Sequence, residues 1–152
     1  MSDPREAFER ALRGDHAAAR ELLAGDLDEG WALALRATLP EGAGRGDAGF
    51  EAPAVDEVEA SAGDAGALAL ACAHGARLAF ARCAPEALRR WRDALAARAP
   101  AELPALRLAD AQLALLSGGG VDGAALESVE GAALREGAAA TVVEAAATRA
   151  LV

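Results

Sequence analysis

Apolar and polar positions along this chain follow the spacing of helices and almost nowhere that of strands. Ala and Leu recur at three- and four-residue intervals, the repeat of a helix face, and Gly and Pro punctuate them at distances suited to short helices. "SDPRE" starts the first helix, with Ser2 or Asp3 as N-cap and Pro4 at the first helical position, where a missing N–H costs nothing. Gly14 ends it. Asp15 then caps "HAAARELLA", which Gly25 closes, and a third helix spans 28–39 with Trp31, Leu35 and Leu39 on one face. The stretch 40–53, "PEGAGRGDAGFEAP", has little periodicity and reads as a Gly-rich loop; a short helix follows at 55–60. The pattern next predicts a long helix over 64–83, apolar around almost its whole circumference, as in the middle of a bundle. Pro85 opens "PEALRRWRDALAARA", an amphipathic helix with Leu88, Trp91 and Leu95 on one stripe and Arg89, Arg92 and Asp93 opposite. Helices at 101–116, 124–136 and 138–152 complete the series, the first two joined by "SGGGVDG". The expected fold is all-α and a single domain over 1–152: a short stack of antiparallel helical hairpins or an orthogonal helix bundle. The last helix ends "AAATRALV" without a Gly or polar cap, which fits either a terminus packed on the body or a piece of a longer protein.

Composition strengthens the helical reading. The chain has 45 Ala and 21 Leu, the best helix formers, against seven Val and three Thr as its β-branched residues. It contains no Ile, Tyr, Asn or Lys, and all 15 basic residues are Arg. The missing types share A/T-rich codons, so a high-GC bacterial genome accounts for the bias. A net charge of −9 argues against nucleic-acid binding, which needs a clustered positive field to displace counterions from phosphates. The N-terminus is charged from its third residue and has no apolar signal core. The most apolar stretch, "AGALALACAHGARLAFA", is too short and too weakly apolar to span a bilayer. Two Cys make no disulfide framework. A cytoplasmic bacterial protein without membrane insertion is the consistent expectation. Between 41 and 64 there are seven acidic residues and one Arg, the most negative part of the chain.

Chemistry is sought first in "CAHGARLAFARC", 72–83, which sets His74 between the only two Cys. On one unbroken helix Cys72 and Cys83 stand about 16 Å apart at 1.5 Å per residue. A disulfide needs Cα atoms within about 7 Å, and the same distance keeps both thiols off one metal ion. His74 points roughly 200° around the helix from Cys72. Packing residues, with no metal and no catalytic site, are expected here. "SGGGVDG" lacks the Lys and Ser/Thr of a phosphate loop and follows no strand, so it reads as a turn with Asp122 as N-cap. The arginines Arg82, Arg89, Arg90, Arg92 and Arg98 form the notable cationic patch. They pair locally with Glu86 and Asp93, or hold the acidic 47–59 segment or an acidic partner peptide. Trp31 and Trp91 are expected as inter-helix anchors.

Residues 68–101 resemble a tetratricopeptide repeat, a 34-residue helix–turn–helix unit. Gly75 and Leu78 fit the small and large positions of its first helix, Ala87, Trp91 and Ala94 those of its second, and Pro100 the closing Pro. Small residues let two helices approach at their crossing while the aromatic fills the space beside it. Ala105, Leu108 and Ala109 repeat the first-helix register, and Ala125, Val129 and Ala132 repeat the second, displaced by about four residues. The resemblance implies a concave surface for peptides or helices of other proteins. The family's carboxylate clamp of Asn and Lys does not carry over, because this chain has neither.

The expected function is therefore protein–protein interaction without catalysis or cofactor: an adaptor or docking domain that takes a partner helix or an acidic peptide between its helices. A homo-oligomer is compatible with the same surface. The alternative is a helical sensor with a small apolar ligand in a pocket lined by Leu70, His74, Leu78 and Trp91.

Overall fold

A computed structural model describes residues 3–39 and 53–152, and the stretch 40–52 lies outside the described residues. The described residues are helical, with α1 at Pro4–Leu12, α2 at Ala17–Leu23, α3 at Glu29–Thr38, α4 at Val55–Ala60 and α5 at Ala65–Ala81. They continue with α6 at Pro85–Ala96, α7 at Pro104–Leu116, α8 at Gly123–Arg135 and α9 at Ala139–Arg149. The all-α expectation holds for the described residues. Contacts divide the chain into two compact units, residues 1–74 and 75–152, with α5 contributing residues to each.

Local chemistry explains most of the boundaries. Asp3 caps α1 by accepting the Arg5 N–H at 3.1 Å, and Asp122 caps α8 through the Ala124 N–H at 2.9 Å. Gly14, Gly118 and Gly137, in the left-handed region, stop α1, α7 and α8. In each case the paired bonds run back across the last turn, as from Gly137 N–H to Leu134 O and from Ala138 N–H to Ala133 O. The predicted helix over 64–83 ends earlier, at Ala81, by the same device. Cys83 adopts φ 53°, its N–H bonds Phe80 O, and Ala84 N–H bonds Ala79 O. A side chain thus occupies a position that glycine fills at the three other ends. The helix predicted from 101 begins at Pro104 instead, because a residue preceding proline is pushed out of the helical region.

In the first unit, α1, α2 and α3 bury Ala7, Phe8, Ala11, Ala18, Ala19, Leu33, Ala34 and Leu35. Arg5 stacks over Trp31 at 5.9 Å from the ring centroid. The short helix α4 is tied to α3 by Glu57, whose two oxygens accept from the Ala54 N–H and face Arg36, each at 3.3 Å. The starts of α3 and α5 meet more closely. Asp28 Oδ2 accepts the Trp31 N–H at 3.3 Å and the Asp64 N–H at 3.0 Å, so one carboxylate caps its own helix and holds the entry to the next. Asp64 in turn caps α5 through the Ala67 N–H at 2.9 Å.

The Asp64 N–H, then desolvation in the opposite sense, then the Trp31 N–H act on Asp28, and the net effect lowers its carboxyl below the usual range. Asp15 is lowered too, chiefly by the hydrogen bond from Arg10, whose Nη2 stands 2.6 Å away. A lowered folded-state value means stability that is complete above the unfolded value of about 3.9 and is lost as pH falls through the folded one. Thermal unfolding between about pH 5 and pH 2 should therefore show a steeper acid loss for the wild type than for Asp28→Asn. Equal slopes would remove the carboxylate from this role.

In the second unit the inner side of α6 seals against α5 and α7. Ala76, Ala79, Leu88, Ala109 and Leu113 form one buried cluster, flanked by Phe80, Trp91 and Leu116. Leu108, Leu126, Val129 and Ala145 form another where α7, α8 and α9 meet. Trp91 lies across Gly75: a Cβ built there would fall under 3.0 Å from three atoms of the indole ring.

Candidate functional site

The two thiols do not converge. Cys72 is buried in α5, Cys83 is exposed past its end, and both are free. Among the described residues no group of three or more His, Cys, Asp or Glu could hold a metal ion. His74 is half-buried and meets Phe8 edge-on, with ring centroids 6.4 Å apart. His16 precedes α2 with its Nδ1 buried and without a hydrogen bond. Leu70 and His74 belong to the first unit, Leu78 and Trp91 to the second; Leu70 and Trp91 are half-buried and Leu78 is 37% exposed.

The arginines separate into two kinds. Arg92, placed by its sequence pattern on the solvent side of α6, is half-buried instead. Its Nη1 lies 3.3 Å from Asp93 and its Nε 3.3 Å from Asp110 of α7. The Nε contact has ion-pair distance without hydrogen-bond alignment, so it is an electrostatic strut between helices. Arg98 donates from Nη1 to Ala94 O at 3.0 Å. Arg82, Arg89 and Arg90 are exposed, and Arg89 forms no ion pair among the described residues. Of the predicted acidic segment, 47–52 lies outside the described residues, and Glu57 faces Arg36.

The surface missed by sequence reasoning is on α9. Its inward side is Thr141, Ala145 and Thr148, all buried. Its outward side is more apolar: Ala139, Val143 and Ala147 recur every four residues, and Leu151 continues the row just past the helix end. Val143 is 66% and Leu151 68% exposed, with Leu134 of α8 at 70%. The two charges of α9 stand off this row. Glu144 is half-buried, and Arg149 turns to Glu130 of α8, with Nη2–Oε2 at 3.0 Å.

Polar pairing explains the inverted helix. Gln112 of α7 is fully buried and donates from Nε2 to Thr148 Oγ1 at 3.1 Å, while that hydroxyl donates to Glu144 O at 2.7 Å. Turning α9 to bury Val143 would gain about 1.5–3 kcal/mol of apolar transfer but orphan the Gln112 amide at about 1–3 kcal/mol. The two are of the same size, so the satisfied amide offsets the apolar gain and the hydrophobic pattern alone does not set the rotation. A hint lay in "ATVVEAAAT", which is apolar on every side except that of its threonines. Among the described residues no helix is long and apolar enough to cross a membrane. No protein-family model, curated protein or solved structure matches this chain.

Proposed function

We propose that this chain is a non-enzymatic docking domain that lays a helix of another protein along the outward row of α9. The observation that carries this reading is the pair Val143 and Leu151, large apolar side chains two-thirds exposed on one helical row, with Leu134 beside the preceding turn. Single exposed hydrophobics are ordinary, but a row of them without an intervening charge is the mark of an interaction surface. Ala139 and Ala147 between the larger residues would let a partner helix approach closely, and the partner would be read at i, i+4 spacing. The α5–α6 and α7–α8 hairpins, in this reading, are degenerate repeat units that hold the surface rigid. The composition supports a bacterial, cytoplasmic setting.

Val143→Glu tests the reading. A charge on an exposed position should leave the helical circular dichroism intact and shift stability by no more than about 0.5 kcal/mol. The affinity for a partner protein captured on the immobilised wild-type chain should fall about tenfold or more, as at an interface anchor. An undiminished affinity would take α9 out of the interface.

A further inference from the structure

Positive charge is concentrated in one part of an acidic molecule. Residues 75–100 hold six Arg against two carboxylates, Glu86 and Asp93, in a chain of net charge −9. Arg92 bridges to Asp110 and Arg98 bonds Ala94 O. Arg82 is exposed at the turn from α5 to α6, Arg89 and Arg90 are exposed in the second turn of α6, and Leu78 stands 37% exposed one helical turn before Arg82. We propose that this corner receives an acidic segment of a partner polypeptide, its carboxylates meeting the guanidinium groups and an apolar side chain resting on Leu78. The proposal rests on the docking reading above and adds the charge of the partner to it.

The chemistry favours a carboxylate-bearing chain. Guanidinium presents a planar fork of donors that matches a carboxylate with two parallel hydrogen bonds, and Arg gives up its hydration more readily than Lys. Arg89 is exposed and forms no ion pair among the described residues, so its guanidinium fork is presented to a partner's carboxylate. Nucleic acid would need many neutralised phosphates to bind well, and the negative remainder of this chain repels it. Steering by a local positive patch also raises the rate at which an acidic partner finds its site.

The test is a fluorescence-anisotropy titration of the full chain at low ionic strength with two labelled amphipathic peptides. One carries Leu at helical spacing with Glu elsewhere; the other has Lys in place of every Glu. The Glu peptide should bind, and the Lys peptide should bind at least about tenfold more weakly. Arg89→Glu with Arg90→Glu should weaken the Glu peptide about tenfold, and physiological salt should do likewise. Arg89→Ala with Arg90→Ala gives the same reading, with a smaller loss, should the charge reversal disturb the fold. Equal binding of both peptides, an unaffected double variant, or a preference for single-stranded DNA over the Glu peptide would overturn the proposal. If the partner still binds through Val143 while the Glu peptide does not bind, the acidic corner falls and the docking reading stands. If the Glu peptide binds and Val143→Glu changes nothing, the corner stands and the α9 row falls.

Discussion

Trp91→Ala lowers the unfolding free energy by about 3 kcal/mol, the low end for truncating an indole because the ring is half-buried. Chemical denaturation followed by circular dichroism would measure it. The loss comes from the ring's seat on Gly75 and its contact with the Ala76, Ala79, Leu88, Ala109 and Leu113 cluster. The partner substitution makes the argument specific. Gly75→Ala by propensity alone should stabilise the middle of α5 by about 1 kcal/mol. Here the new methyl would sit under 3.0 Å from three indole atoms, so overpacking by about 1–3 kcal/mol opposes the gain and the variant is less stable. With Trp91→Ala already made, the clash is gone and Gly75→Ala becomes stabilising. That reversal of sign in a double-mutant cycle belongs to this contact alone, and additive effects would show that the ring does not lie on Gly75.

The second large effect falls at Gly63. A Cβ there would come under 3.0 Å from the backbone N and Cα of Gly30, and a Cβ on Gly30 would meet the backbone N and O of Asp64. No flexible side chain is available to move aside on the facing strand of chain. Gly63→Ala should cost about 3 kcal/mol or more, at the upper end of overpacking, and separate the starts of α3 and α5. Gly131→Ala is the control: its Cβ would find only Arg135 Nη1, at an ordinary 3.6 Å, so about 1 kcal/mol of helix propensity should be gained. Urea unfolding of both variants against the wild type decides it, and a neutral Gly63→Ala would contradict the close approach.

How far each feature could be read in the sequence depends on the distance over which it is set. Helix α1 was legible because Asp3, Pro4 and Gly14 act within a turn of their own position. Gly75 and Trp91 were legible as a small-and-aromatic pair across one hairpin. The end of α5 lies two residues before the one its pattern predicts, because nothing local marks Cys83 for the left-handed region that glycine prefers. The pairing of Arg92 with Asp93 is legible on its own helix, whereas that helix cannot announce Asp110 on the next one. The Asp28–Asp64 and Gln112–Thr148 bonds each join residues 36 apart, where no periodicity connects them. The second of these turns α9 inside out. The candidate surface was therefore hidden for a physical reason: a buried amide on another helix offsets the hydrophobic pattern in setting the rotation of α9.

A photoreactive residue at position 143, incorporated in the producing cell, tests the docking claim most directly. The result expected is one discrete covalent adduct with another protein, absent when the same group replaces exposed Glu127 on α8. No adduct at 143, or the same set of adducts from both positions, would contradict it.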